Sequence, residues 1–232
     1  MHYDAWSQAY DYIFPLKDQT LAYLKRAFKR GRLCDLGCGS GSYAIALAER
    51  GWFVDAYDLS ENLIDLARKK SYEGLSVNFN QADIRDFSAE DAYDGIYTIG
   101  NTLVHLDSHA SVKKVLKSMY NALKPHGIGV IQIINYDRII NHNVKQLPTI
   151  EHAPFKMERH YHLNDDKIAF TTILHHQGST KTNTIDLLPL KKADLITYLK
   201  DVGFQEIKCY GGFDHKPFQK DTSIPLIVEF KR

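Results

Sequence analysis

Between residues 31 and 135, short β-forming runs alternate with amphipathic helical stretches, and this alternation constrains the fold more than any other feature of the chain. The β-like runs are RLCDL (32–36), WFVDAY (52–57), LSVNFN (75–80), YDGIYTI (93–99) and GIGVIQII (127–134). Between them lie SYAIALAER (42–50), SENLIDLARKK (60–70) and HASVKKVLKSMYNALK (109–124), each with apolar residues at helical spacing. Repeated strand–helix units predict a doubly wound α/β fold: a parallel sheet with helices on both faces and right-handed crossovers. Ser60 stands where the second of these helices needs an N-cap. Pro125 and Gly127 read as the stop signal of the helix at 109–124.

The flanks are different. Residues 1–30 read as one or two helices broken at Pro15. From 136 to 190 the alternation fails: KMERHYHL (156–163), KIAFTTILHH (167–176) and NTIDLL (183–188) read as three strands with no helix between them. Asn164-Asp165-Asp166 marks a hairpin turn between the first two. So long a stretch exceeds a plain connection, and the expectation is an inserted antiparallel cap. A helix at KKADLITYLKDVG, a strand FQEIKCY and a strand PLIVEF close the chain. The expected division is one domain of 232 residues: N-terminal helices at 1–30, a cofactor-binding half at 31–135, a β cap at 136–190 and closing elements at 191–232.

Composition removes several function classes. Lys and Arg number 29 against 28 Asp and Glu, so no bulk charge favours nucleic acid or an anionic membrane. Three cysteines without a CxxC pair fit neither a disulfide framework nor a zinc ribbon. The first residues carry Asp4 and Asp11 where a signal peptide has cations. No apolar run approaches the ~20 residues that span a bilayer. A cytoplasmic protein is the expectation.

The chemistry concentrates in LCDLGCGSGSY (33–43), where a strand runs into three alternating glycines and then a helix. Gly37, Gly39 and Gly41 allow a tight turn and let a ligand lie against the backbone. Asp58 follows near the ~20-residue offset of a ribose-binding carboxylate. Two cofactor classes compete for such a turn. A dinucleotide site reads G-x-G-x-x-G, whereas the spacing here is G-x-G-x-G. Asp35, two residues before the first glycine, would repel a pyrophosphate and favour an ammonium or sulfonium. Asp83, in QADIRDF (81–87), ends the third strand as a partner for an adenine amino group. Spacing and acid placement both disfavour the dinucleotide.

With these residues the chain resembles the class I S-adenosylmethionine-dependent methyltransferases along nearly its whole length. DLGCGSG resembles their first motif, Asp58 their ribose acid, ADI their adenine motif, YDGIYTIGNTLVHL their fourth-strand motif and LKPHGIGVIQI the entry to their fifth strand. The resemblance implies a seven-stranded, mostly parallel sheet with the last strand antiparallel, and S-adenosylmethionine as cofactor. It also implies cofactor contacts at Asp35, Gly37, Gly39, Gly41, Asp58 and Leu59, and further contacts at Asp83, Ile84, Ile99 and Gly100. A narrower resemblance links GNTLVHL (100–106), INYDRII (134–140) and GGFDHKPFQ…IPLIVEF to the glycine and sarcosine N-methyltransferases. A His on the fourth-strand loop, an N-terminal Tyr pair and a β-rich insert also resemble N-methyltransferases of amino sugars. By that likeness Asn101 and His105 lie near the substrate, and Tyr3 and Tyr10 close over the methionine end of the cofactor.

One position departs from the glycine enzymes. They carry an Arg before Asn-Tyr-Asp that pairs with the substrate carboxylate; here it is Ile134. A buried carboxylate without a cation is costly, so glycine fits only if Arg138, Arg159 or a lysine substitutes. The expected acceptor is a small amine, with His105 as general base and Asn101 orienting the nucleophile. His105 serves equally as a loop-bonding residue, because methyl transfer proceeds by positioning alone. An O-methyltransferase and a non-catalytic cofactor-binding regulator remain alternatives. Six of the eleven histidines fall in 136–190, yet no carboxylate or Cys completes a metal-ligand set at recognisable spacing.

Overall fold

A computed structural model describes residues 7–29 and 31–232. Among the described residues are seven α-helices and eleven strands, the strands forming two sheets. The strands β1 (Arg32–Leu36), β2 (Phe53–Asp58), β3 (Val77–Gln81), β4 (Tyr93–Thr98), β5 (Leu123–Ile134), β10 (Gln205–Tyr210) and β11 (Pro225–Lys231) form one sheet in the order β10-β11-β5-β4-β1-β2-β3. β1–β5 run parallel. β11 is antiparallel to both neighbours, β5 and β10. The seven-stranded, mostly parallel sheet is the one the resemblance implies.

Side chains of period 2 distribute the strands between two faces. On one face Leu33, Val54, Ala56, Tyr97 and Val130 pack with α2 (Asp18–Ala27), α3 (Ser42–Ala48) and α4 (Glu61–Lys70). On the other, Cys34, Leu36, Ile96, Ile131 and Ile133 pack with α5 (His109–Ala122) and α7 (Lys192–Val202). Each fully buried Leu or Ile contributes about 1.5–3 kcal/mol, so both layers are strongly held. The expected Ser60 cap is present: its Oγ accepts from Leu63 N at 3.3 Å.

Three expectations change. The third helix of the alternation ends at Ala122, not at Pro125, and β5 begins at Leu123. Pro125 sits where the β4–β5 register shifts between Tyr93–Leu123 and Gly95–Ile128, an irregularity that excuses its missing N–H. Within 136–190 a short helix, α6 (Tyr136–Asn141), precedes four strands rather than three. These are β6 (Gln146–His152), β7 (Phe155–Leu163), β8 (Ile168–His176) and β9 (Ser179–Leu187), antiparallel in the order β6-β7-β8-β9. Pro148 argues against a strand at 146–152, but β6 lies at the sheet edge and its pairing shifts between Leu147 and Ile150, where Pro is tolerated.

The four-stranded sheet docks beside the carboxyl end of β4. Leu188 N donates to Val104 O at 2.8 Å, and Lys167 Nζ donates to Asp107 O. On its other side it meets α1 (Ser7–Ile13): Ala9 and Ile13 pack with Met157 and Leu174 in a separate small core. No described helix is long and apolar enough to cross a membrane.

Candidate active site

β1 runs into the glycine turn at 37–41, and α3 starts directly after it. Gly37 N and Cys38 N both donate to Tyr57 O, at 2.8 and 2.9 Å, which ties the turn to β2. Gly39 N donates to Asp58 Oδ2 at 2.7 Å, and Ser60 N donates to Oδ1 at 2.9 Å. The Asp58 carboxylate is thus fixed between the turn and the start of α4. A Cβ on Gly37 would lie 2.4 Å from the Thr102 side chain, and one on Gly39 would lie 2.4 Å from the Tyr10 hydroxyl. Both residues also have positive φ, +85° and +57°, so glycine is required twice over.

The turn opens on a cavity of about 580 Å³ at the carboxyl ends of β1, β2 and β4. Tyr10, Gly37, Asp58, Leu59, Asp83, Ile84, Ile99, Gly100 and His105 line it. Nine residues expected at the site are therefore brought together. Gly100 has φ +80° and open space where a Cβ would stand. His105 ends a 3-10 turn at Thr102–His105 and is exposed to the cavity.

Other expected residues are placed elsewhere. Tyr3 lies outside the described residues. Gly39 and Gly41 shape the turn without lining the cavity; a Cβ on Gly41 would meet Phe79 at 2.5 Å. Asn101 also stands outside the lining, because the fold uses both ends of its amide. Its Oδ1 accepts from Ile134 N at 2.9 Å and its Nδ2 donates to the Tyr136 hydroxyl at 3.0 Å. Asp35 is buried opposite Tyr97 in the β1–β4 register. Burial pushes its carboxyl up to about 8, opposed by the Tyr97 hydroxyl. Asp35 Oδ1 and Tyr97 Oη complete no hydrogen bond among the described residues. Burial also pushes the Cys34 and Cys38 thiols well above their ordinary range, so neither is a ready nucleophile.

Asp83 is in the cavity wall, but its carboxylate is already engaged. Arg85 donates to it from the backbone at 2.8 Å and from Nη2 at 2.6 Å, and this holds the carboxyl below its usual range. The same guanidinium reaches Asp107 at 3.1 Å. Arg85, Asp107 and Asp186 are cavity residues that the sequence reading did not single out. For Arg85 the signal was available, two places after Asp83 in QADIRDF. Asp186 comes from β9, whose position over the cavity depends on how the second sheet docks. Among the described residues no group of three or more His, Cys, Asp or Glu could hold a metal ion. Among the insert histidines, His160 and His175 instead share the half-buried Glu158 carboxylate, at 3.3 and 3.1 Å.

Comparison with known proteins gives the same direction as the geometry. Residues 33–127 match the family described as methyltransferase domain. A glycine/sarcosine N-methyltransferase of Halorhodospira halochloris is 27% identical over 215 residues, which is 90% of this chain and 80% of the relative. A crystal structure of a S-adenosylmethionine-dependent methyltransferase from Clostridium acetobutylicum superposes with TM-score 0.83 at 16% identity, over 99% of this chain and 98% of that one. An amino pentose methyltransferase from Micromonospora echinaspora, solved with S-adenosylmethionine bound, superposes with TM-score 0.70 at 17% identity, over 98% and 97% of the two chains.

Proposed function

We propose that the chain is a class I S-adenosylmethionine-dependent methyltransferase and that it methylates the nitrogen of a small amine that lacks a carboxylate. One observation carries the choice of acceptor: the cavity wall holds four carboxylates, Asp58, Asp83, Asp107 and Asp186, against the single guanidinium of Arg85. A net acidic wall favours cations, both a sulfonium and an ammonium. Ile134 stands where the glycine enzymes carry their carboxylate-binding arginine, which fits an acceptor without that group. The glycine/sarcosine N-methyltransferase relative, similar along 90% of this chain, supports nitrogen as the methylated atom.

The residues present suit the cofactor. Side chains are excluded at Gly37 and Gly39, which leaves bare backbone beneath a ligand. Asp58, held by Gly39 N and Ser60 N, retains lone pairs for two ribose hydroxyls. Leu59, Ile84 and Ile99 offer apolar walls for a base, with the Asp83–Arg85 pair at its edge. Tyr10 leans over the turn at Gly39. Asp35, buried beneath the turn and held protonated up to about pH 8, is not part of the cavity wall.

Bound S-adenosylmethionine supplies a methyl carbon activated by its sulfonium. The protein supplies alignment and a route for one proton. An ammonium has no lone pair, so it must shed a proton before its nitrogen forms the new bond. His105, in the wall beside Thr102 and Leu106, receives that proton. Asn101 is a positioning residue, since it pins the β4 loop to Ile134 N and Tyr136.

A labelled methyl-transfer screen over small amines, amino sugars and hydroxy compounds tests the reading. Label on nitrogen is expected, with His105→Gln lowering kcat by about 10²–10⁴-fold, the usual worth of a general base, while cofactor affinity stays unchanged. Label on oxygen alone overturns the choice of amine. Undiminished turnover in His105→Gln overturns the base.

A further inference from the structure

We infer that α1 couples the cofactor turn to the four-stranded cap, with Asp11 and Lys70 as its clasp, so that filling the cofactor site orders the cap. This rests on the reading of the glycine turn as the cofactor seat.

The two faces of α1 serve two different surfaces. Ala9 and Ile13, one helical turn apart, are 3% and 4% exposed against Met157 of β7 and Leu174 of β8. The Tyr12 ring lies 5.1 Å from Phe155 at the start of β7. From the other face Tyr10 reaches Gly39, and Asp11 reaches the flanks of the turn. The Asp11 carboxylate accepts from Lys70 Nζ at 2.8 Å, from Ser42 Oγ at 3.3 Å and from Ser40 Oγ. Lys70 Nζ also donates to Ser40 Oγ and Ser42 Oγ, both at 3.0 Å. Ser40 and Ser42 flank Gly41 in the turn, and Lys70 ends α4. One ion pair therefore fastens three elements: α1, the glycine turn and α4.

A seven-residue helix has no stability of its own in water. α1 is helical because both surfaces hold it, and loss of either contact weakens the other. An element stabilised from two sites transmits binding between them in both directions. An isolated surface ion pair is worth little, but this one is joined by both serine hydroxyls, and Lys70 and Asp11 are only 27% and 35% exposed. Its residual exposure makes the clasp sensitive to salt.

The test uses S-adenosylmethionine itself and needs no acceptor. In the parent protein, saturating S-adenosylmethionine should protect backbone amides of β7 and β8 from hydrogen exchange, although neither strand lines the cofactor cavity. Lys70→Met, and independently Asp11→Asn, should still bind S-adenosylmethionine but lose that protection. Cofactor dissociation should quicken by about tenfold, the scale of losing charge-assisted hydrogen bonds. Salt should quicken dissociation from the parent and not from the variants. Protection of β7 and β8 that persists in both variants overturns the coupling alone. Asp58→Ala separates the underlying reading: unaltered S-adenosylmethionine affinity there overturns the seat, whatever the cap does.

Discussion

Replacing Asp35 by asparagine should remove a pH dependence from the stability of the fold. Asp35 is 2% exposed, faces Tyr97 across the β1–β4 pair and has no cation against it. Its carboxyl is raised from 3.8 to about 8, chiefly by burial. In the unfolded chain the carboxyl ionises above about pH 4; in the folded protein it stays protonated until about pH 8. Folding takes up a proton throughout that interval, so this group makes stability fall as pH rises, and the fall levels off above 8. The slope is about 1.4 kcal/mol per pH unit, which accumulates to roughly 4 kcal/mol by pH 7. Asparagine has nearly the shape of the protonated acid and carries no such penalty. Urea titrations of parent and Asp35→Asn at pH 5, 6, 7 and 8 should give curves that nearly meet at the acid end, with the variant increasingly the more stable at higher pH. Parallel dependences for the two proteins would refute the account of Asp35 as a buried neutral acid.

Two further substitutions probe packing and charge. Gly129→Ala should destabilise by about 1–3 kcal/mol, the cost of overpacking a core, because its Cβ would fall 2.0 Å from the Phe230 ring; a melting temperature equal to the parent's would refute the close contact between β5 and β11. Arg159 is partly desolvated; its Nη2 donates to Pro148 O at 2.6 Å, but its buried Nε has no partner and it forms no ion pair among the described residues. Arg159→Met should leave stability unchanged or raise it by about 1–2 kcal/mol, and a clear loss in a denaturant titration would mean that the guanidinium is holding the cap together.

Local physics made the cofactor half readable. β1–β5 announce themselves by alternation, and the Ser60 cap depends only on a residue and the backbone three places on. The glycine turn was legible because its conformation excludes side chains at Gly37 and Gly39. What stayed unread shares a cause: partners far away in sequence. β6 survives Pro148 only because the edge of a sheet has no ladder to complete there. Asn101 is held by Tyr136 and Ile134, more than 30 positions on, contacts that no local pattern announces. Asp186 reaches the cavity through the docking of a second sheet, which no local pattern encodes. Arg85 was visible in the sequence; what was not visible was that it would occupy the carboxylate of Asp83 and bridge to Asp107.

The position of β11 has a consequence for how the molecule is made. One edge of β5 pairs with β4, whose residues lie close before it in sequence, but its other edge is filled by Pro225–Lys231. A chain emerging from the ribosome N-terminus first must therefore carry the open edge of β5 while all of β6–β9 is synthesised. Such an edge presents unpaired amides and carbonyls to any neighbouring strand, and its closure depends on a contact of high sequence separation. The cap strands, which appear in that interval, are the nearest competitors for it. Pairing among β6–β9 themselves keeps those strands off that edge, and the insertion of β11 closes it.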